Sequence, residues 1–157
     1  MGSLSRYGWS SRFRVERPGR NSRLDELQAA VLLNGLSRLE VRTARRIEIR
    51  QRYAAVVNES AWRVVGHPDQ HQAHLAVLTG PDVQAARRVF DEHGIATDVH
   101  YPIPDHRQPG PATAQGVSLP VTEALVGHHF SIPCFPELAD EEVARVVHTL
   151  RLVVDEP

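Results

Sequence analysis

The sequence contains no lysine, and all 18 of its basic residues are arginine. A mechanism in which a lysine amine of this chain bonds covalently to a carbonyl group is therefore excluded. The same absence excludes the G-x-x-x-x-G-K-[ST] phosphate-binding loop, and no G-x-S-x-G nucleophile elbow occurs. Two common classes of catalytic motif are thus missing from this chain.

Cysteine is almost absent as well. Cys134 is the only one, so no disulfide can form within the chain, as is typical of proteins from a reducing compartment. It lies between Pro133 and Phe135 in a predicted buried strand, without an obvious activating base. We therefore predict that Cys134 is a small core residue rather than a nucleophile.

Long apolar runs are also missing. No stretch approaches the roughly 18 to 20 uninterrupted apolar residues that a membrane span requires. The arginine-rich N-terminus has no apolar core that could act as a signal peptide. The sequence therefore predicts a cytoplasmic protein without a membrane partner.

The net charge of −1 conceals an uneven distribution. Residues 1–63 carry 13 arginines and six acidic residues, whereas the remainder carries five and 13. A basic half can bind nucleic acid, but Glu40, Glu48 and apolar residues interrupt the arginines as on a solvated helix face. We expect no nucleic-acid partner.

Three closely spaced histidines, His67, His71 and His74, are a weak metal-binding pattern. Pro68 and the strand predicted after it prevent the three rings from sharing one helical face. We therefore predict no metal site.

The length of 157 residues and a hydrophobic content of 41% suit one ordinary domain with extensions. Residues 1–21 show neither helical nor strand periodicity and are predicted to form an extended arm that orders only against a partner. Residues 22–58 read as two helices, near 22–34 and 36–58, with a break at Gly35.

Ser22, with Asp25 three residues later, matches a helix-capping pattern. Since that pattern already satisfies the start of the helix, Asn21 is a candidate for another task.

Residues 59–157 are predicted to form a small C-terminal domain in which short strands alternate with helices. The expected fold class is α+β, with a small, mostly antiparallel sheet covered by helices. The predicted strands are 61–66, 72–80, 95–100 and 130–136, and the predicted helices are 82–94 with Asp82 as cap, 119–129 with a cap near Thr122, and 139–154.

A proline-rich loop, "DVHYPIPDHRQP" at 98–109, gathers His100, Tyr101, His106 and Arg107 at the end of a predicted strand. Rigid loops of this kind often present binding groups. The alternative is an ordered connector whose aromatic side chains pack on the sheet.

Several stretches together resemble, in the same order, the C-terminal portion of the DegT/StrS-type pyridoxal-phosphate (PLP) sugar aminotransferases. They are "RYGWSSRF", "GRNSRLDELQAAVL", "RQRYAAVV", "HGIATDVHYPIPDHRQP", "LPVTEAL" and "SIPCFPELADEEVARVVHTL". The resemblance covers about residues 5–153 and implies the long interdomain helix and small domain of a fold type I enzyme, without its lysine-bearing large domain. One departure is Gly110-Pro111, where relatives usually have a small residue and a tyrosine.

The resemblance also implies a dimer and a set of binding residues. In the family, the asparagine of a G-x-N-x-R stretch reaches the cofactor phosphate of the neighbouring subunit, which implies that Asn21 and Arg23 bind PLP. The "HYP" loop lies by the sugar-nucleotide pocket, which implies substrate contacts for His100, Tyr101 and His106. No catalytic residue is expected in this chain.

Two hypotheses follow from the resemblance. The first is part of an aminotransferase for keto sugar nucleotides that is inactive alone and needs a separate lysine-bearing chain, as a homo- or hetero-oligomer. The second is a non-catalytic remnant or binding module that pairs with a full-length relative.

Overall fold

A computed structural model describes residues 9–11, 14–16, 18–20, 22, 24–66, 72–108 and 116–155. In chain order, the strands and helices are β1 (Trp9–Ser11), β2 (Arg14–Val15), α1 (Glu26–Leu36), α2 (Leu39–Val57), β3 (Arg63–Val64), β4 (Ala76–Thr79), α3 (Val83–Glu92), α4 (Pro120–Leu125), β5 (His129–Ile132) and α5 (Asp140–Asp155). A 3₁₀ turn, Asp105–Arg107, precedes α4. This mixture of helices with a small antiparallel sheet confirms the predicted α+β class.

The chain divides into two compact units, Met1–Glu40 and Val41–Pro157. The division expected from the sequence, an arm followed by a helical segment and a small domain, stays a prediction. The first unit contains a short antiparallel pair, β1 and β2, within the stretch predicted as an extended arm.

Helix α1 begins at a different residue from the one predicted. Its N-cap is Asp25, whose carboxylate accepts a hydrogen bond of 2.8 Å from the backbone N–H of Leu27. The prediction that Ser22 is the cap is therefore wrong, because the Asp25 side chain already binds an amide of the first turn. The predicted pair of helices is confirmed, but the break between them falls at 37–38, after α1 has passed through Gly35 to Leu36, since one glycine costs a helix only about 1 kcal/mol.

The second unit is built on a three-stranded antiparallel sheet with the order β3-β4-β5. Side chains alternate between the two faces of the central strand β4. Ala76 and Leu78 are fully buried in the core that α3 and α5 help to form, whereas Val77 and Thr79 are half-buried on the other face. The sheet therefore has one closed face and one face open to a ligand or partner.

Aromatic side chains fill the centre of this core. The ring of Phe130 meets Trp62 and Phe90 edge to face, with centroids 6.1 and 5.7 Å apart. Tyr53 of α2 is also fully buried, and its hydroxyl donates to the carbonyl of Pro133 at 2.9 Å. Burial of the ring raises the pKa of Tyr53, so the phenol stays protonated.

Helix α3 follows the sequence prediction closely. Asp82 caps it by accepting a hydrogen bond of 2.8 Å from the Ala85 N–H, as expected. The chain leaves the helix through Gly94, whose φ of +66° is a conformation that glycine adopts without strain.

Segment 95–100, predicted as a strand, forms only a single bridge in which Asp98 pairs with Ser131. The Asp98 carboxylate accepts the N–H of the next residue, Val99, at 2.8 Å. Such a local side-chain contact competes with a strand ladder, which explains the wrong prediction.

The prediction of a cap near Thr122 is wrong as well. Helix α4 starts at Pro120, because proline suits the first helical position, and its N-cap is Leu119. The strand predicted over 130–136 starts one residue early and ends at Ile132, before Pro133, which has no N–H for a ladder.

An arginine on α2 connects this helix to the start of α5. Arg45 donates to the Asp140 carboxylate at 2.6 Å and to the carbonyl of Leu138 at 3.1 Å. It also bonds Glu48, one turn along α2, at 2.9 Å. The hydrogen bond from Arg45 lowers the pKa of Asp140, so this contact is an ion pair.

None of the helices in the described parts of the chain combines the length and apolarity needed to cross a membrane.

Candidate functional site

The open face of the sheet forms the floor of an apolar cavity of about 560 Å³. Its walls come from the loop after Asp98 and from α4. The apolar lining residues are Val65, Val77, Ile103, Pro104, Leu125 and Val126; the others are Thr79, His100, Tyr101, Asp105, Gln108, Thr122 and His129. Mostly apolar concave sites with a few polar groups are typical of ligand pockets.

A buried arginine, Arg50, stabilises the backbone next to one side of the cavity. Arg50 of α2 donates to the carbonyl oxygens of Val65 and Gly66 at 2.9 and 2.5 Å. Among the described residues, its Nε–H has no hydrogen-bond partner. The guanidinium therefore fixes the end of β3, next to which Val65 lines the cavity.

Of the residues predicted to bind substrate, His100 and Tyr101 both line the cavity. His106 does not appear in that lining; its side chain is 6% exposed and its Nε2 lies 3.0 Å from a carboxylate oxygen of Glu123. The substrate role of all three stays a prediction. The predicted cofactor residues Asn21 and Arg23 lie outside the described residues.

Glu123 of α4 holds the loop in place. Its Oε1 accepts hydrogen bonds from the Leu119 N–H at 3.1 Å and from Arg107 at 3.1 Å, in addition to its contact with His106. The Leu119 amide, followed by His106 and Arg107, lowers the pKa of Glu123 to about 2. The carboxylate is thus a charged anchor between the loop and α4.

The imidazole of His100 lies against β5. Its Nδ1 is 3.0 Å from the hydroxyl oxygen of Ser131, and its Nε2 is 3.9 Å from a carboxylate oxygen of Asp98. This Ser-His-Asp grouping is not a hydrolase triad, because Ser131 is only 6% exposed and is not among the described residues that line the cavity. The contacts instead orient the His100 ring.

Tyr101 occupies the mouth of the cavity in an uncommon backbone conformation. Its φ is +57°, and 82% of the residue is exposed. A bulky residue at positive φ costs of order 1–3 kcal/mol and persists only where its surroundings require it. Such strain is often found at ligand-contacting positions.

Sequence reasoning missed Glu123, Ser131 and His129. Glu123 contacts His106 and Ser131 contacts His100, but these partners are 17 and 31 positions apart in the sequence. One usable signal was the strand alternation of β5, which places His129 and Ser131 on the same face.

The remaining candidate residues do not form a second site in the described part of the chain. Cys134 is buried, as predicted, and burial raises the pKa of its thiol. Of the three spaced histidines, His67 and His71 lie outside the described residues. Within those residues, no group of three or more His, Cys, Asp or Glu is placed to hold a metal ion.

Comparison with known proteins decides the family. The DegT/DnrJ/EryC1/StrS aminotransferase family matches residues 1–151. This chain belongs to that family. The predicted resemblance is therefore confirmed.

Two sugar transaminases are similar in sequence to almost the whole of this chain. A dTDP-3-amino-3,4,6-trideoxy-alpha-D-glucose transaminase of Micromonospora megalomicea subsp. nigra is 36% identical over 96% of this chain and 43% of its own length. A dTDP-3-amino-3,6-dideoxy-alpha-D-galactopyranose transaminase of Aneurinibacillus thermoaerophilus is 35% identical over 94% of this chain and 41% of its own length.

Solved structures agree with this assignment. DesV of S. venezuelae superimposes with a TM-score of 0.84 at 32% identity, covering 99% of this chain and 43% of DesV. NtdA from Bacillus subtilis, solved with bound cofactor PMP, has a TM-score of 0.82 at 26% identity and covers 98% and 38%. The chain thus has the fold of one part of these aminotransferases and spans about two fifths of their length.

Proposed function

We propose that this chain forms the small-domain part of a PLP-dependent aminotransferase that acts on keto sugar nucleotides. The observation that carries the proposal is the family match over residues 1–151. It is supported by two relatives, 36% and 35% identical, that are named as transaminases of dTDP-linked amino sugars.

The covalent attachment of the cofactor has to come from outside these 157 residues, because they include no lysine. The relatives carry more than half of their length beyond the matched part. We therefore assign the lysine to a large domain outside these residues, and the proposal that a separate chain supplies this domain is the one that the co-expression below tests.

The cavity itself does not fit the phosphate group of PLP. Its described lining residues include no arginine, and the acidic side chain of Asp105 would repel a phosphate. Phosphate contacts are instead assigned to Asn21 and Arg23, on the resemblance alone. When bound, PLP supplies the electron sink for amino-group transfer.

His100 and Tyr101 are proposed to contact the sugar nucleotide at the mouth of the cavity. The Nε2 atom of His100 lies 3.9 Å from the Asp98 carboxylate, beyond hydrogen-bond distance, so it is available for a hydroxyl or carbonyl oxygen of the sugar. The apolar floor excludes water below the substrate, which strengthens such hydrogen bonds. These residues bind and orient the substrate rather than perform the transfer.

The test is co-expression of this chain with a chain that carries the lysine-bearing large domain, purified by a tag on this chain. We expect the two chains to co-purify with the yellow absorbance of bound PLP and to transfer an amino group from glutamate to a keto sugar nucleotide. This chain alone should show no transfer and no PLP adduct after borohydride reduction.

Three other outcomes would contradict the proposal. A complex that binds PLP but transfers no amino group would favour the non-catalytic binding module. Failure of the chains to associate would remove the two-chain assembly. A borohydride-trapped PLP adduct on a side chain within residues 1–157 would show that the cofactor is attached without a separate lysine.

A further inference from the structure

The side chain and the backbone of His100 are both held by β5. Nδ1 of His100 lies 3.0 Å from the Ser131 hydroxyl oxygen, and the carbonyl oxygen of His100 lies 3.3 Å from Nε2 of His129. Because alternate residues of a strand share a face, Ser131 and His129 approach the histidine together. Two neighbouring residues on one face of a core strand thus fix a residue of the cavity wall.

The Ser131 hydroxyl is a rigid partner. Its backbone N–H donates to the Asp98 carbonyl at 2.7 Å and its carbonyl accepts the Asp98 N–H at 3.1 Å. Ser131 lies in the centre of β5 opposite Val77, and it is 6% exposed. The hydroxyl is therefore held at a fixed distance from the loop, with little access to competing water.

His129 adds a second restraint. Its ring lies between the carbonyl oxygen of Leu125, 3.0 Å from Nδ1, and that of His100, 3.3 Å from Nε2. Since a neutral imidazole has a single N–H, the ring donates to one of these two carbonyl oxygens at a time and packs between the end of α4 and the His100 backbone. With the backbone restrained here, the orientation of the His100 ring depends chiefly on the partner of its Nδ1.

We propose that Ser131 is a positioning residue that orients the His100 imidazole, donating its hydroxyl proton to Nδ1 so that the opposite nitrogen carries the proton. Asp98 also favours a proton on Nε2. Its carboxylate lies 3.9 Å from that nitrogen and, as an acceptor only, interacts favourably with an N–H there. The ring then presents an Nε2–H donor. The consequence for substrate binding rests on the proposed function, in which His100 contacts the sugar nucleotide.

The first test needs no partner chain. Long-range ¹H–¹⁵N correlation spectra of the full chain report which ring nitrogen of a neutral histidine is protonated, and His100→Gln assigns the signals. We expect well-separated Nδ1 and Nε2 signals for His100, with Nε2 protonated. In Ser131→Ala the two ¹⁵N shifts should converge as the ring loses its fixed partner, whereas Ser131→Thr, which keeps a hydroxyl, should retain the separation.

Thr149→Val is the matched control. Thr149 is another buried residue of the second unit whose hydroxyl makes a single local hydrogen bond, to the Arg145 carbonyl of α5. Its loss should lower stability in a similar way and leave the His100 signals unchanged. Unchanged His100 signals in Ser131→Ala would overturn the proposal, as would equal changes in Thr149→Val.

A second measurement separates this inference from the proposed function. In the two-chain enzyme, Ser131→Ala should raise KM for the sugar nucleotide about tenfold, the effect of one misplaced hydrogen bond, with a smaller change in kcat. If the His100 signals change while KM does not, Ser131 still positions the ring, but His100 does not contact substrate.

Discussion

At the scale of single residues, the packing of the second unit depends on the missing side chain at Gly80. A Cβ at this position would overlap the Cδ2, Cε3 and Cζ3 atoms of the Trp62 indole. That ring is buried and packs edge to face on Phe130, so it has no space into which to move. Glycine is therefore required here by close approach.

We predict that Gly80→Ala lowers the free energy of unfolding by about 1–3 kcal/mol, the usual cost of overpacking a core. Urea unfolding followed by tryptophan fluorescence would measure it. Gly35→Ala is the control and should not lower this free energy, because a Cβ at Gly35 of α1 meets nothing within 4 Å and alanine suits a helix interior better than glycine. An unchanged unfolding midpoint in Gly80→Ala would mean that Trp62 is not packed as described.

Side-chain polarity and spacing predicted some residues of the site but not their contacts. His100 and Tyr101 could be singled out because the loop "HYPIP" is short, rigid and rich in polar aromatic groups. Ser131 looked like an ordinary strand residue, since its importance arises only when Asp98, 33 positions earlier, bridges to it. Contacts over such distances are set by tertiary packing and leave no local pattern.

At the scale of elements, periodicity predicted helices better than strands. The helix predicted over 82–94 is α3, and its cap residue is the expected one, because the spacing of apolar residues and the Asp82 cap agree. Segment 95–100 has a strand-like composition but forms only one bridge, from Asp98 to Ser131. Strand formation depends on the neighbouring strand as well as on the composition of the segment itself. The exposed face of β4 became a cavity floor for the same non-local reason.

The anchoring of the loop to α4 should depend on pH through Glu123. Its folded-state pKa of about 2 lies below the ordinary value of 4.5. The stabilisation is therefore fully present above about pH 5 and is lost as the pH falls from there toward 2. Because the Leu119 N–H binds this carboxylate, its proton chemical shift should titrate with a midpoint near 2.

Glu123→Gln should abolish this titration and increase hydrogen exchange of the Leu119 and Arg107 amides at neutral pH. Glu92→Gln, an exposed substitution on α3 that removes the same charge, is the control and should change neither. A Leu119 midpoint near 4.5 would show that the three hydrogen bonds to Glu123 do not hold in solution.

At the scale of the whole molecule, α1 has no buried residue, and large apolar side chains are exposed along it. Leu27 and Val31 are 75% and 67% exposed. We predict that the chain by itself associates with increasing concentration and binds a hydrophobic dye, because exposed apolar surface of this kind favours contact with a partner.

Sedimentation velocity over a range of concentrations would measure this association. Leu27→Ser combined with Val31→Ser should weaken it, whereas Val121→Ser on α4, also highly exposed, should not. Strictly monomeric behaviour at high concentration without dye binding would contradict the expectation that α1 is an interface.

The proposed cofactor contact of Asn21 can be tested in the proposed two-chain enzyme. On the resemblance, the amide of Asn21 donates to the PLP phosphate across a subunit interface. Serine keeps a small polar side chain but is too short to reach the same oxygen. Loss of one charge-assisted hydrogen bond, about 1.5–3 kcal/mol, should weaken PLP retention by roughly ten- to a hundredfold in Asn21→Ser.

Asn34→Ser on α1 makes the same chemical change away from the proposed contact and should leave PLP affinity unaltered. Cofactor titration of the two-chain enzyme measures both variants. Equal PLP affinity in Asn21→Ser and the wild type, with unchanged thermal stability of the apo complex, would mean that Asn21 does not contact the cofactor.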